Sequence, residues 1–185
     1  NPVDKNTEVF LEKNEIEWAK QFFSINGLSG ENKTVMIHPC SSLKIRSWGL
    51  ENFASLCQSL ISKANCQIIV NSSLEELESV QSIKNLAPEV CFSSGSLREL
   101  LSLVNECDLF IGNDSGPSQF SVALNIPTIT LNGPSVSSLY RDPDLVRGKH
   151  YTFNKEVFCR DIFHTQCMSK IDPVTNQPAC DSMIC

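Results

Sequence analysis

The residues best equipped for chemistry in this chain sit in short polar stretches that each follow an apolar run. One is Gly112-Asn113-Asp114-Ser115-Gly116, preceded by Leu109-Phe110-Ile111 and followed by Pro117, Ser118 and Gln119. The apolar run reads as a buried strand, and Pro117 suits the opening of a helix, where its missing N–H costs nothing. A strand ending in Asp-Ser-Gly at a helix N-terminus gathers free backbone N–H groups, a hydroxyl and a carboxylate in one small space. Those groups suit an anionic, hydroxyl-rich ligand such as a nucleotide sugar; the plain alternative is a capped turn with no ligand. A second stretch, Ser41-Ser42-Leu43-Lys44-Ile45-Arg46-Ser47-Trp48, offers hydroxyls and two cations just past another strand. Phosphate oxygens need such donors, and an arginine fork can meet them bidentately, although a solvated basic loop would look the same. Trp48 is read as a packing anchor rather than a stacking platform. In a third stretch, Glu75 or Glu76 could accept hydrogen bonds from ribose hydroxyls, or both could simply favour the positive end of a helix dipole. His38, His150 and His164 are isolated from one another in sequence, and each is read as structural or exposed.

The elements that must position these residues can be read from periodicity. Phe10 to Ile25 fits an amphipathic helix imperfectly, ended by Gly27 and Gly30. Thr34–Ile37 is a strand, and Leu50, Phe53, Ala54, Cys57, Leu60 and Ile61 hold the spacing of a helix packed along one face. Gln67–Val70 is the next strand, Leu74–Leu86 the next helix, and Val90-Cys91-Phe92 a short strand. Leu97, Leu100, Leu101 and Val104 mark a further helix. After the strand and helix around Pro117, Thr128–Leu131 forms a further strand, stopped by Gly133-Pro134. Short strands alternating with helices imply right-handed βαβ units and a parallel sheet, so the fold class expected is α/β. In such open sheets ligands bind beyond the carboxyl ends of the strands. The loops 38–47, 71–75 and 112–116 all leave such ends and are candidate walls of one site. From about Tyr140 onward the periodicity weakens.

The bulk properties narrow the function classes. The chain has 185 residues, 41% hydrophobic and 19% charged, which suits one soluble globular domain with a substantial core. A net charge of −6 without a dense Lys/Arg cluster argues against nucleic acid as a partner. No apolar run approaches the roughly 18 residues of a membrane span. The chain starts at Asn1 without a basic-plus-apolar leader, and we expect a processed chain or an excised piece of a longer protein. Of nine cysteines, Cys40, Cys57, Cys66, Cys91 and Cys107 lie beside apolar residues and look like small core residues. Cys159, Cys167, Cys180 and Cys185 crowd the tail at spacings of seven, twelve and four residues, without the paired knuckles typical of zinc, so a metal site there is only weakly suggested.

Several motifs in order carry a resemblance. Ile37-His38-Pro39, then Arg46-Ser47-Trp48 leading into Asn52-Phe53, then Ser96-Leu97-Arg98-Glu99-Leu100, then Gly112-Asn113-Asp114-Ser115-Gly116-Pro117 resemble glycosyltransferase family 9, the ADP-heptose:lipopolysaccharide heptosyltransferases. Ala123-Leu124-Asn125-Ile126-Pro127-Thr128, Leu131-Asn132-Gly133-Pro134 and a cysteine-bearing tail continue it over roughly residues 10–185. The resemblance implies a GT-B arrangement of two Rossmann-like domains, of which this chain looks like the C-terminal, donor-binding half. The acceptor-binding half and the family's catalytic aspartate would lie in an N-terminal domain absent here. The expected divisions are a linker and N-terminal helix over 1–30, a Rossmann-like nucleotide-sugar-binding domain over 31–140 and a cysteine-containing tail over 141–185.

By position, the resemblance implies that Ser41 and Ser42 hold the donor diphosphate and that Arg46 neutralises it where the family usually has a lysine. Lys44 could share that role. Glu75 would accept from the ribose, the backbone around Gly95 would line the base, Asp114 would bind sugar hydroxyls, and Ser115, Gly116 and Pro117 would present a helix N-terminus to the diphosphate. One departure stands out: where the family commonly reads Gly-Pro-Met-His, this chain has Gly116-Pro117-Ser118-Gln119. Gln119 can hydrogen-bond a phosphate or sugar but cannot carry a charge or relay a proton at neutral pH. The implied activity is inverting, metal-independent transfer of a sugar from an ADP-heptose-like donor to a lipopolysaccharide-type acceptor. No cofactor is expected. The setting would be the bacterial cytoplasm, with the full protein at the inner face of the membrane as a peripheral associate. The alternatives are a non-catalytic nucleotide-sugar-binding module, which Gln119 would suit, and another GT-B enzyme such as a nucleotide-sugar epimerase.

Overall fold

The computed structural model describes residues 8–28, 30–42, 46–133 and 149–154. Six strands form one parallel sheet: β1 (Thr34–His38), β2 (Gln67–Ser72), β3 (Cys91–Ser94), β4 (Leu109–Asn113), β5 (Thr128–Asn132) and β6 (His150–Asn154), in the spatial order β3-β2-β1-β4-β5-β6. The helices are α1 (Lys13–Ile25), α2 (Leu50–Ala64), α3 (Leu77–Val80), α4 (Leu97–Asn105) and α5 (Gly116–Ala123). This is an α/β, Rossmann-like fold. The order reverses between β1 and β4, which pair in register from Val35 with Leu109 to His38 with Gly112. A crevice opens at the carboxyl ends of two such strands because the connections leaving them run to opposite sides.

Both faces of the sheet are covered, which is why the central strands are continuously apolar rather than alternating. On one face Val35, Ile37, Ile68, Val70 and Ile111 pack against Phe53, Ala54 and Cys57 of α2 and against Val80 and Ile83. On the other, Met36, Ile69 and Phe110 pack against Ala19 of α1 and Leu100, Leu103 and Val104 of α4. An ion pair fixes the sheet's amino end: Asp108 accepts from Lys33 Nζ at 2.6 Å and from the Thr34 N–H at 2.9 Å. Arg98 of α4 ties down α1 by donating to Glu15 and, at 2.9 Å, to the Phe10 carbonyl.

The sequence expectations for β1, α2, β2, β3, α4, β4 and β5 agree with these elements to within a few residues. Three differences have physical causes. First, the helix expected over Leu74–Leu86 is a single α-turn, Leu77–Val80, followed by a 3-10 turn over Gln81–Asn85. Here Ser79 and Ser82 hydroxyls donate three residues back, to Glu76 O and Ser79 O, both at 2.7 Å. Such local bonds compete with regular α-helical pairing. Second, α1 begins at Lys13 rather than Phe10, because the Glu15 carboxylate accepts the Glu12 N–H at 2.7 Å and caps the helix there. Phe10 is left exposed. Third, the sheet continues past residue 140 with β6, an edge strand with Tyr151 and Phe153 exposed. Its apolar residues point away from the core, so no burial signal marks it.

Cys40, Cys57 and Cys107 are buried, while Cys66 and Cys91 are half-buried; all five are free thiols. Burial pushes the Cys57 thiol up to about 12. The tail cysteines Cys159, Cys167, Cys180 and Cys185, and His164, lie outside the described residues. Among the described residues no helix is long and apolar enough to cross a membrane.

Candidate functional site

At the carboxyl ends of β1 and β4 lies a cleft of about 450 Å³, lined by His38, Cys40, Ser41, Ser42, Arg46, Glu76, Asp114, Ser115, Gly116, Pro117 and Gln119. One wall is the loop that leaves β1. The opposite wall is the turn that leaves β4 and the first turn of α5. The two strands approach closely here: a Cβ added at Gly112 would lie 3.0 Å from the His38 carbonyl oxygen and 3.0 Å from the Phe110 ring. A side chain at 112 would wedge apart the strands that form the cleft floor.

Each wall is built from local chemistry. Ser115 has extended backbone at the α5 N-cap. Its hydroxyl donates back to Asn113 O at 3.2 Å, and the Ser118 hydroxyl accepts from the Ser115 N–H at 3.4 Å. Pro117 occupies the first turn and brings no N–H, so Gly116 and Ser118 supply the amides of that turn. On the facing wall, Ser41 Oγ is buried without a hydrogen-bond partner among the described residues. A buried hydroxyl without a partner costs free energy that a ligand oxygen would recover. Trp48 stays 42% exposed, with its ring meeting the buried Phe53 edge-on at 5.1 Å.

The floor is polar and ordered. His38 is buried, with Nδ1 3.2 Å from Asn71 Oδ1. Asn71 Nδ2 donates in turn to Ser93 O and Ser93 Oγ, which fixes its amide oxygen toward the imidazole. Nδ1 therefore carries the hydrogen. Burial lowers the His38 pKa, opposed by the Asn71 bond and the Glu76 charge. Glu76 is pushed upward by burial, but bonds from the Ser73 hydroxyl at 2.7 Å and the Ser73 N–H at 3.2 Å outweigh this, and its net shift is downward. Burial, and then the Glu76 charge, push the Cys40 thiol up to about 12.

Of the residues singled out in the sequence, Ser41, Ser42, Arg46, Asp114, Ser115, Gly116, Pro117 and Gln119 are brought together in the cleft. Glu75 is not: the tight turn after β2 leaves it exposed and directs its neighbour Glu76 into the wall. Gly95 lies beyond β3, outside the cleft lining, where a Cβ would meet Glu99 Oε2 at 2.4 Å. Lys44 lies outside the described residues. His38 and Cys40, read from sequence as structural, line the cleft. The signal available for both was their place immediately after a strand, at the end where ligands bind.

A profile of glycosyltransferase family 9 (heptosyltransferase) matches residues 2–177. The chain belongs to glycosyltransferase family 9. Over 129 residues it is 26% identical to the lipopolysaccharide core heptosyltransferase OpsX of Haemophilus influenzae, covering 67% of this chain and 35% of that protein. Over 122 residues it is 31% identical to lipopolysaccharide heptosyltransferase 1 of Campylobacter coli, covering 60% of this chain and 34% of that protein. The solved structure of the Escherichia coli ADP-heptose lipopolysaccharide heptosyltransferase II has the same fold, with a TM-score of 0.67 at 21% identity, covering 83% of this chain and 46% of that one. This family 9 chain thus spans about a third of the length of the two relatives and under half of the solved structure.

Proposed function

We propose that this chain is the donor-binding domain of an inverting family 9 glycosyltransferase, and that its donor is an ADP-sugar of the ADP-heptose class. The observation that carries the reading is the convergence, at the β1/β4 switch point, of an arginine, two serine hydroxyls and a helix N-terminus across from a carboxylate. Arg46, Ser41, Ser42 and the Gly116 amide hold the diphosphate. Asp114 accepts from sugar hydroxyls, and Glu76, held in its ionised form by Ser73, takes the ribose role that position alone gave to Glu75. The base lies toward Gly95. As the glycosidic bond breaks, negative charge grows on the departing diphosphate, where Arg46 and the α5 amides meet it. The base that activates the acceptor comes from a further domain, and the acceptor is of the lipopolysaccharide type at the inner face of a bacterial membrane. The chemistry needs no metal, and Lys44 is a further candidate for the diphosphate.

Calorimetric titration of ADP into the 185-residue chain tests this reading. Saturable binding with no sugar transfer by this chain is expected. A folded chain that takes up no ADP, or one that transfers sugar unaided, refutes it. A second reading, a nucleotide-sugar-binding module without catalysis, is favoured by Gln119, which lines the cleft and cannot relay a proton. Transfer by the enzyme that contains this domain, with Gln119 in place, would dispose of that second reading.

A further inference from the structure

Asn113 has no part in the donor-binding reading, yet its side chain is fully enclosed beside the cleft. It is the last residue of β4 and has no exposed surface. Its Oδ1 accepts the Trp48 N–H at 3.0 Å, and its Nδ2 donates to the Pro39 carbonyl at 2.7 Å. Pro39 and Trp48 are the two flanks of the loop that carries Ser41, Ser42 and Arg46. The next residue along is Asp114, and the Asn113 carbonyl accepts the Ser115 hydroxyl at 3.2 Å. One residue therefore touches both walls: its side chain closes the base of the first, and its main chain begins the second.

We propose that Asn113 is a positioning residue for diphosphate recognition, a clamp that sets residues 39–42 and 46–48 at the distance from α5 that a diphosphate requires. The chemistry admits few substitutes. One flank presents a donor and the other an acceptor, so the clamp needs a carbonyl oxygen and an N–H₂ on one short side chain. Aspartate lacks the donor and would bury a negative charge against the anion site, and leucine lacks both. The sheet itself thereby fixes both flanks, at Pro39 and at Trp48, before any ligand arrives, which lowers the ordering cost of binding. The inference rests on the donor-binding reading above.

The test is the preference for ADP over adenosine, measured by competition against a fluorescent ADP analogue. Adenosine lacks the phosphates that the clamped loop holds, so the preference isolates that loop. In Asn113→Ala, the affinity for ADP falls about tenfold to thirtyfold, as loss of two buried hydrogen bonds would give, while that for adenosine moves less than about threefold. Asp108→Ala serves as the matched control, since it removes the Thr34 and Lys33 contacts at the opposite end of the sheet. It lowers the melting temperature and leaves the preference unchanged. An unchanged preference in folded Asn113→Ala, with only the melting temperature lowered, overturns the clamp while leaving the donor reading intact. Absence of ADP binding by the unaltered chain overturns both. Should Asn113→Ala not fold, hydrogen exchange on the unaltered chain decides the matter: saturating ADP slows exchange of the Trp48 amide, and no change there overturns the proposal.

Discussion

Replacing Arg46 by alanine is the most direct probe of the donor cleft. Arg46 lines the cleft and is partly buried. The other charged groups of the lining are the carboxylates of Glu76 and Asp114. Among the described lining residues, an anionic ligand entering this space therefore meets one guanidinium and backbone dipoles against two negative charges. A charge-assisted hydrogen bond contributes about 1.5–3 kcal/mol, which corresponds to a tenfold to 150-fold change in Kd. Because Arg46→Ala removes positive charge from a lining that also carries two carboxylates, the loss in ADP affinity should fall in the upper part of that range. Arg46→Lys keeps the charge and loses the fork, and an intermediate loss is expected. The gap between the original chain and Arg46→Ala should narrow in high salt, since the cleft is open to solvent and its charges are screened. The assay is isothermal titration with ADP at two ionic strengths, alongside a thermal melt of each variant. An ADP affinity within about twofold of the original, with the melt unchanged, would show that Arg46 makes no ligand contact and would refute the reasoning.

Two further perturbations test the interior. Burial holds the His38 pKa below its ordinary value of 6.5, so the imidazole is neutral in the folded state. Above that pH both folded and unfolded states are neutral there and stability is flat; as pH falls below it the unfolded chain takes up the proton first. Stability should then fall by up to about 1.4 kcal/mol per pH unit, and chemical denaturation of His38→Gln should lack that component. An identical acid profile in the variant would show that His38 does not cause it. Cys40 and Cys57, both pushed up to about 12, should resist alkylation at neutral pH, while half-buried Cys66 reacts first among the five described cysteines. Peptide mapping by mass spectrometry after brief iodoacetamide treatment reads this out, and early modification of Cys57 would contradict the packing of α2 on the sheet.

Much of the architecture was legible along the chain because the determining forces are local or periodic. Runs such as Val35–Ile37 and Ile68–Val70 are apolar throughout because both sheet faces are covered, and the spacing of Leu50, Phe53 and Cys57 reflects one buried helix face. The stretch after β2 was less legible. Its apolar residues Leu77, Val80 and Ile83 suggest a long helix, but serine hydroxyls bonding three residues back convert most of it to a tighter winding. β6 was invisible because an edge strand with its aromatic residues facing outward carries no burial pattern.

For the site, the sequence by itself determined the chemistry of the two principal walls. A phosphate-suited loop after one strand and an Asp-Ser-Gly turn at a helix start are residue-type statements, and they need no neighbour to be recognised. Only the tertiary structure decided that these two loops share a cleft, because that depends on β1 and β4 lying side by side where the strand order reverses. It also placed Glu76 rather than Glu75 in the cleft lining, since a tight turn chooses which of two adjacent side chains faces inward. His38 and Asn113 belong to the same class. Their roles come from groups 33 to 74 residues away, among them Asn71, Pro39 and Trp48, and a contact at that separation leaves no mark on local spacing.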